Sequence, residues 1–409
     1  MLAWTLGTRD MLHNFTTRDN KLHIGGINAE ELVQQYGSPL YVYDGAIIRR
    51  QYRVLRNAIS YPDTRFFYAC KANPNLELLK ILRQEGCGLE AVSYNEVLAG
   101  LGAGFAPEDI IFTCSFITKD ELEAVIKAGA AVNIDSLTQL KWFGEINPGG
   151  KVSLRINQGI GAGHHEHTIT GGPDSKFGID ITQLDEAKRI AAEHNVRIVG
   201  LHQHIGSHIL DPEIFMLAIR TLLKTARQFD GLEFLDFGGG FGVAYKETDK
   251  PLDLPRLGAM ITKEVEEFTK EYGHIQIRFE PGRFLVVECG VLLATVTDIK
   301  ETPYHTFVGV NTGFNHLIRP MMYGSYHQIV NASCVTSENI KKVWVVGNIC
   351  ESGDIFTRDR ELPEAKPGDT IAILGAGAYG RAMSFPYNGR KQPQEVLVES
   401  GIARPISER

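Results

Sequence analysis

Three groups in the sequence can act together chemically: a lysine, a glycine run and a glutamate, each placed after a strand-like run. Lys71 follows RFFYAC and precedes an Asn-Pro pair, which ends an extended segment and turns the chain. The run from Gly238 to Gly240 follows EFLDF, and Glu280 follows IQIRF. These residues offer an amine, a turn whose backbone N–H groups can approach an anion, and a carboxylate.

This combination suits pyridoxal 5'-phosphate. Lys71 can hold the cofactor as a Schiff base, the glycine turn can bind its phosphate, and Glu280 can keep the pyridine nitrogen protonated. Each group alone has a simpler explanation, because single lysines are usually solvated, glycine runs also form tight turns, and buried glutamates are often merely paired. Their shared position at strand ends favours the cofactor.

Two more candidates lie in GLHQHIGS, after another strand-like run. His204 is predicted to stack on one face of the pyridine ring, and Ser207 to donate to the phosphate. A lone histidine at a strand end is more often an ordinary hydrogen-bonded polar residue. His202 points to the same face of the strand and is the expected structural partner.

The elements that position these groups are predicted to be parallel strands joined by helices, the pattern of an α/β protein. The eight strand-like runs have the spacing of βα units, so we predict a (β/α)8 barrel over residues 45–284. The carboxyl ends of all barrel strands meet at one face, which makes residues distant in sequence neighbours. The runs are RFFYACK, GLEAVSY, IIFTCS, AAVNIDS, VSLRINQ, RIVGLHQHIG, EFLDFGGG and IQIRFEPGR.

After Arg283 the helical periodicity fades and strand-like runs follow one another without crossover helices. This pattern predicts a second, all-β domain over residues 285–409. KLHIGGI and PLYVYDG near the amino terminus are also strand-like, so we assign residues 1–44 to the same domain. The later runs are VVECGVLLATVTDI, HTFVGV, KVWVVGN, TIAILGAG and EVLVESG.

Composition limits the partners and the compartment. The 409 residues carry a net charge of −7, which argues against nucleic acid or an anionic membrane as the main partner. No apolar stretch is long enough to span a membrane, and the amino terminus lacks the features of a signal peptide, so we expect a cytoplasmic protein. Six cysteines without a CxxC pair indicate neither a zinc site nor a disulfide framework.

The run HHEH, with His164, His165 and His167, is the one tempting metal motif. Its spacing matches none of the usual helical metal-binding patterns, and glycines surround it. We therefore predict a solvated loop between barrel units and no bound metal.

Seven segments, taken in order, resemble diaminopimelate decarboxylases, a family of alanine-racemase-like pyridoxal-phosphate enzymes with a barrel and a β domain. The resemblance spans nearly the whole chain. It implies that Lys71 is the Schiff-base lysine, His204 the stacking histidine and Glu280 the partner of the ring nitrogen, while Ser207 and the glycines Gly238, Gly239 and Gly240 contact the phosphate. The segments are FFYACKAN, GLHQHIGS, DFGGGFG, EPGR, LIRPMMYGSYHQI, CESGDIF and GAGAYG.

The resemblance also implies residues around the substrate and a homodimer with shared active sites. Arg283, Arg319 and Tyr323 match residues that hold the far end of the amino-acid substrate, although a lone arginine is by default solvated. Cys350 and Glu351 match a pair contributed by the neighbouring subunit. Tyr379 matches a tyrosine near both phosphate and substrate.

The expected reaction is loss of carbon dioxide from meso-diaminopimelate to give L-lysine, the last step of lysine biosynthesis. Cys350 is the candidate acid that protonates the substrate carbon, with Lys71 as the other possibility. A free cysteine is otherwise mostly an inert core residue. Arginines suit the distal carboxylate of the substrate and Glu351 its ammonium group.

The sequence departs from the family pattern at three places: Ser93-Tyr94-Asn95-Glu96 replaces a glycine-containing turn, the loop GAGHHEHTITGG differs, and His316 replaces an acidic residue. These departures keep alternatives open, namely a decarboxylase of D-lysine, D-ornithine or a carboxynorspermidine-type substrate. A racemase and a non-enzymatic pyridoxal-phosphate-binding protein are the remaining alternatives.

Overall fold

The computed structural model describes residues 11–163, 170–172 and 174–407. They divide into two compact units. The barrel unit comprises Gln51–Val243 and Pro251–Leu285, and the β unit comprises the described parts of Met1–Arg50, Ala244–Lys250 and Val286–Arg409. Compactness alone does not establish independently folding domains, so the sequence-based boundaries stay predictions.

The barrel unit is built on eight parallel strands that close on themselves. Each strand pairs with the next one along the chain, and the last, Gln276–Phe279, pairs with the first, Thr64–Ala69. All eight strand-like runs of the sequence contribute a barrel strand. The strands are Thr64–Ala69, Gly88–Ala91, Ile110–Thr113, Ala131–Ile134, Lys151–Asn157, Arg197–His202, Phe234–Asp236 and Gln276–Phe279.

A helix follows each of the first seven strands, and side-chain caps define where most of these helices begin. For example, Ser93 accepts a hydrogen bond from the backbone N–H of Glu96, and Asn75 accepts one from Glu77. Such caps satisfy N–H groups that have no partner in the first helical turn. The helices are Leu76–Gln84, Tyr94–Gly102, Lys119–Lys127, Leu137–Ile146, Leu184–Glu193, Pro212–Ala226 and Leu254–Tyr272.

Aromatic side chains pack against one another around the strands that close the barrel. Phe279 is fully buried and its ring centroid lies 5.7 Å from that of Phe66 and 5.6 Å from that of Phe237. Such contacts bury apolar surface where the first and last strands of the barrel meet.

The β unit is organised around the long strand Gly290–Glu301, which pairs with three others. One of them is Leu40–Asp44, which also pairs with Gln394–Glu399. A separate antiparallel sheet comprises Thr16–Arg18, Lys21–Ile24 and Ile27–Asn28. The remaining strands are Thr306–Val310, Ile329–Asn331, Ile340–Val346, Ile355–Pro363, Thr370–Leu374 and Ile402–Pro405.

The other elements are short, apart from two helices near the amino terminus. The helix Gly45–Ala58 contains the point in the chain, between Arg50 and Gln51, at which the β unit ends and the barrel unit begins. The helix Ala29–Tyr36 belongs to the β unit. Short helices, 3-10 turns and two-residue strands complete the described chain: Arg283–Val286, Arg319–Tyr323, Met11–Asn14, Cys70–Ala72, Pro107–Asp109, Ile181–Gln183, Arg381–Met383, Tyr387–Gly389, Ala162–Gly163, Ile179–Asp180 and Gly206–Ser207.

The predicted fold class, a (β/α)8 barrel with a second sheet-rich part, is confirmed. Strand Ile355–Pro363 was not predicted, because its residues TRDREL are mostly charged and stay largely exposed in a strand paired to Ile340–Val346 alone. Among the described residues, no helix is both long enough and apolar enough to cross a membrane.

Candidate active site

Lys71 lies on the 3-10 turn Cys70–Ala72, directly after the first barrel strand. The backbone N–H of Asn73 donates to the carbonyl oxygen of Cys70 at 3.0 Å, and the hydroxyl of Tyr68 donates to the carbonyl oxygen of Asn73 at 3.1 Å. Cys70 and Ala72 are buried, whereas the Lys71 side chain is exposed. A fixed turn thus presents the amine at the carboxyl end of the strand.

The carboxyl groups of Glu90, Asp236 and Glu280 are buried in the barrel unit. Burial is the largest cause that raises the pKa of each, and it raises the pKa of Asp236 to about 7. The positive charge of Lys71 opposes this increase in the pKa of Glu90 and Glu280. Lys71 therefore lies within the electrostatic field of these carboxyl groups, unlike an ordinary surface lysine.

Glu280 directly follows the eighth barrel strand and is held at both its backbone and its side chain. Its N–H donates to the carbonyl oxygen of Gly238 at 2.9 Å, and its Oε2 lies 2.9 Å from Nε2 of His202. Its buried Oε1 has no hydrogen-bond partner among the described residues. One carboxylate oxygen is thus available for a donor that the chain itself does not supply.

His204 follows the sixth barrel strand, and its ring is fixed at one nitrogen. The backbone N–H of Gly239 donates to Nδ1 at 3.1 Å, and the Thr170 hydroxyl donates to the His204 carbonyl oxygen at 3.0 Å. Burial and the charges of Lys71 and Arg155 lower the pKa of His204 well below its ordinary value. The imidazole is therefore neutral and oriented, as a ring that stacks on a cofactor must be.

The glycine run is required by close backbone packing. A Cβ atom on Gly238 would lie 2.2 Å from the carbonyl oxygen of Gln203, and one on Gly239 would lie 2.3 Å from that of Glu280. Gly238 and Gly240 also have φ angles of +69° and +108°, which side-chain-bearing residues rarely adopt. The tight-turn explanation is thus correct, and the same bare turn suits an anion.

Ser207 and Arg283 form a pair in the barrel unit. The guanidinium of Arg283 donates to the Ser207 hydroxyl from Nε at 3.2 Å and from Nη2 at 3.1 Å. Arg283 is buried and Ser207 is half-buried. Ser207, predicted to contact the phosphate, is thus adjacent to Arg283, predicted to contact the substrate. Together the two side chains offer a hydroxyl and a cation to an anionic group.

These residues of the barrel unit fit pyridoxal phosphate. Oε1 of Glu280 is a buried acceptor that a protonated ring nitrogen would satisfy. Close backbone packing requires glycine in the turn, and a turn without side chains lets its backbone approach a phosphate. Lys71 supplies the amine that an aldehyde requires.

In the β unit, Arg319 is buried, which contradicts the solvated alternative for this residue. Its Nη1 lies 3.0 Å from Nε2 of His327, whose Nδ1 lies 2.8 Å from the carbonyl oxygen of Leu374. Its guanidinium lies 5.0 Å from the ring centroid of Tyr245. Tyr323 lies at the end of the same short helix and is half-buried.

Cys350 and Glu351 are exposed, so the alternative of an inert buried cysteine is wrong. The backbone N–H of Cys350 donates to Oδ1 of Asn388 at 2.9 Å. Tyr379 is half-buried and has a φ of +57°, an uncommon value for a tyrosine. Such backbone outliers are concentrated at functional sites.

His164, His165 and His167 lie outside the described residues. Within the described part, His202, Asp236 and Glu280 each offer one ligand atom to a common point, with these atoms within 4.8 Å of one another. The hydrogen bond between His202 and Glu280 already joins two of the three groups. The sequence did not predict this trio.

The sequence analysis missed two buried carboxyl groups, Glu90 and Asp236, which lie inside barrel strands. The detectable sign was a single acidic residue within an otherwise apolar run, as in GLEAV and FLDF. Such a residue must face polar partners, because a buried charge is costly otherwise. Arg155, paired with Asp135 at 3.7 Å, adds a buried cation on the fifth strand.

A closed barrel with a lysine, an unsatisfied carboxylate oxygen and a side-chain-free turn at its strand ends defines a pyridoxal-phosphate enzyme of barrel type. Comparison with known proteins agrees. The family model described as "Pyridoxal-dependent decarboxylase, pyridoxal binding domain" matches residues 45–287.

Relatives match over almost the entire chain. The diaminopimelate decarboxylase of Methanothermobacter thermautotrophicus is 47% identical and covers 95% of this chain and 93% of its own length. That of Escherichia coli is 35% identical over 98% of this chain and 97% of its own length. The crystal structure of the M. jannaschii diaminopimelate decarboxylase in complex with L-lysine has a TM-score of 0.90 and 32% identity, covering 98% of this chain and 96% of that one.

The chain therefore belongs to the pyridoxal-dependent decarboxylases, and within them to the diaminopimelate decarboxylase family.

Proposed function

We propose that this chain decarboxylates meso-diaminopimelate at its D-centre to give L-lysine and carbon dioxide, the last step of lysine biosynthesis, with pyridoxal 5'-phosphate as cofactor. The observation that carries the proposal is the buried Glu280, whose Oε1 has no partner among the described residues. The names of the full-length relatives add the substrate class.

The barrel unit supplies the residues that hold the cofactor. Lys71 would hold its aldehyde carbon, His204 would lie against the ring, and Glu280 would pair with the ring nitrogen. Ser207, the glycine run and Tyr379 would contact the phosphate. The neutral, oriented imidazole of His204 and the paired hydroxyl of Ser207 support these roles.

The bound cofactor supplies an electron sink for the electron pair that remains when the carboxylate leaves as carbon dioxide. Glu280 must be ionised to keep the ring nitrogen protonated, and the nearby cations Lys71 and Arg155 favour that form. Cys350 delivers a proton from Sγ to the substrate carbon, with Nζ of Lys71 as the other candidate. The exposure of Cys350 suits a group that must exchange its proton.

The remaining predicted residues bind the substrate. Arg283 and Arg319 bind carboxylate groups, Glu351 binds the distal ammonium, and Tyr323 and Tyr379 line the substrate. The ordered environment of Arg319, held at His327 and over Tyr245, supports a recognition role.

We further propose a cytoplasmic homodimer with shared active sites. Cys350 and Glu351 are exposed in the single chain, which suits residues that serve the site of a second copy. The six cysteines are free, as is usual in a reducing compartment. Cell fractionation would test the compartment.

The direct test is to incubate cofactor-loaded protein with meso-diaminopimelate, D-lysine or D-ornithine and to quantify carbon dioxide and amine product. We expect lysine from diaminopimelate and a loss of at least ~10³-fold in Lys71→Ala. Lys80→Ala is the matched control, because Lys80 lies on the next helix and pairs with Glu77. Release from D-lysine or D-ornithine alone would contradict the substrate, and release from none would favour a racemase or a non-enzymatic binder.

The shared active site is tested by mixing two inactive variants, Lys71→Ala and Cys350→Ala. In a dimer with shared sites, random exchange places both substitutions in one site of each mixed dimer and leaves the other site intact. About a quarter of the wild-type activity should then return. No recovery after exchange, verified with differently tagged chains, would contradict shared sites.

The residue at position 316 favours a second candidate function, the decarboxylation of another diamino acid. His316 stands where the resemblance led us to expect an acidic residue, and it is buried with Nδ1 3.0 Å from the Thr312 hydroxyl. Burial lowers the pKa of His316 to about 4, so the group is neutral at physiological pH. The D-lysine and D-ornithine reactions above test this candidate.

A further inference from the structure

His202 has no role in the proposed chemistry, yet its imidazole is hydrogen-bonded to the carboxylate of Glu280, which also interacts with the side chain of Asp236. It is the last residue of the sixth barrel strand and is only 1% exposed. Its Nε2 lies 2.9 Å from Oε2 of Glu280, and its Nδ1 has no hydrogen-bond partner among the described residues. The pair is thus isolated from solvent and joined through one atom of each residue.

The charge state of His202 follows from its surroundings. Burial is the largest cause that lowers the pKa of His202 to about 4. The charges of Asp236 and Asp135 oppose this decrease, and those of Arg155 and Lys71 add to it. When a neutral imidazole is hydrogen-bonded to an ionised carboxylate, its single N–H must be on the ring nitrogen next to the carboxylate, because the carboxylate can only accept. His202 is therefore an Nε2–H donor to Glu280.

A neutral donor differs from a cationic one in its effect on Glu280. An arginine or lysine bonded to Oε2 would neutralise the carboxylate and weaken its hold on a protonated ring nitrogen. A neutral N–H fixes the orientation of the carboxylate and leaves its charge available. Oε1, the oxygen without a partner, is then the atom presented to the cofactor.

We propose that His202 is a positioning residue: its neutral imidazole holds Oε2 of Glu280 so that Oε1 binds the protonated ring nitrogen of the cofactor. The proposal rests on the proposed role of Glu280. It assigns the function of a supporting donor, which in metal and cofactor sites commonly affects affinity or activity by ~10–100-fold.

The test compares His202→Leu, which removes the donor, with His202→Gln, whose side-chain amide can donate from a similar position. The readouts are the dissociation constant of pyridoxal phosphate and the absorption spectrum of the bound cofactor between pH 6 and 9. His202→Leu should weaken cofactor binding by ~10-fold or more and change the pH dependence of the spectrum. His202→Gln should stay within ~3-fold of the wild type.

His274 provides a matched control in the same unit. Its Nε2 lies 3.0 Å from Oδ2 of Asp63, but the histidine side chain is 75% exposed. His274→Leu should change neither cofactor affinity nor spectrum. If His202→Leu behaves like His274→Leu, or if His202→Gln is as impaired as His202→Leu, the donor role is wrong.

A measurement on the wild type covers the case in which His202→Leu does not fold. Nitrogen-15 NMR of histidine-labelled holoenzyme, with the His202 signal assigned through His202→Gln, should show a neutral ring protonated on Nε2 at pH 7. A doubly protonated ring or an Nδ1–H tautomer would overturn the proposal.

A variant of Glu280 separates this proposal from the proposed function. If Glu280→Gln leaves cofactor affinity and spectrum unchanged, the role of Glu280 and the present inference both fail. If Glu280→Gln changes them and His202→Leu does not, only the inference fails. Neither readout depends on which amino acid is the substrate.

Discussion

The residues proposed to bind the cofactor in the barrel unit and those proposed to bind the substrate in the β unit differ in how completely the single chain orders them. In the barrel unit, hydrogen bonds link Gly239 to His204, Glu280 to His202, and Arg283 to Ser207. In the β unit, Arg319 is buried and held, whereas Cys350 and Glu351 are exposed. The proposed cofactor residues are thus ordered by contacts within one chain, whereas two of the proposed substrate and proton-transfer residues are exposed on it.

Among the changes that compare the two units, the largest effect is expected from removing the negative charge of Glu280 in the barrel unit. Glu280→Gln keeps the shape of the side chain but cannot pair as an anion with a protonated ring nitrogen, so kcat should fall by ~10²–10³-fold. Glu395→Gln is the matched change in the β unit, because Glu395 is also buried and accepts from the Tyr43 hydroxyl at 2.9 Å. Equal losses of kcat in the two variants would contradict a special role for Glu280.

Replacing a buried aspartate by asparagine should have opposite effects on stability in the two units. The folded pKa of Asp236 is about 7 against an ordinary 3.8, so the folded apoprotein retains a proton that the unfolded chain releases. Its contribution to stability therefore falls as pH rises from about 4 to 7. Asp236→Asn should raise the free energy of unfolding by ~1–4 kcal/mol at pH 8 and by little near pH 4.

Asp354 of the β unit is the contrasting control for that measurement. Both of its oxygens accept backbone N–H groups, from Phe314 and Ile349, each at 2.7 Å, whereas Oδ2 of Asp236 has no partner among the described residues. Asp354→Asn should therefore destabilise the fold, because an amide cannot accept at both atoms. Urea unfolding of the apoprotein across this pH range measures both changes, and a pH-independent gain for Asp236→Asn would contradict the assignment.

A change at His327 tests whether the β unit also contains a preorganised site. His327→Leu removes the acceptor for Nη1 of Arg319, so the guanidinium should lose its fixed orientation. We expect the KM for diaminopimelate to rise by ~10-fold with cofactor affinity unchanged, and His327→Gln to restore part of the loss. His23→Leu, at a histidine bonded to the carbonyl oxygen of Lys21, is the control. A loss of cofactor affinity instead would place His327 on the cofactor side.

The smallest expected effect concerns the exposure of Cys350. Alkylation should modify Cys350 first, whereas burial raises the pKa of Cys70, Cys87 and Cys289 and keeps these thiols unreactive. If a second copy covers Cys350, its labelling should slow by several-fold as protein concentration rises, relative to the half-buried Cys334. Labelling that is independent of concentration would argue against a partner at this position.

Much of the barrel could be predicted because its strands carry local information. Each buried parallel strand is a short apolar run between helical segments, and the polar residue that ends it marks the functional face. The order and number of these runs were enough to place Lys71, His204 and Glu280 at the ends of three different strands. The charged strand Ile355–Pro363 escaped prediction, because an exposed strand needs no apolar pattern.

By itself the sequence determined the alternation of strands and helices, the positions of the glycine turn and the identities of the groups that meet at the barrel face. Only the tertiary structure decided which of these groups touch. Barrel closure brings His202, Asp236 and Glu280 within reach of one another, and packing around Arg319 turns a residue that is solvated by default into a buried one. The physical reason is that periodicity and turn chemistry act between sequence neighbours, whereas hydrogen-bond partners and burial depend on strand register and on side chains far apart in the chain.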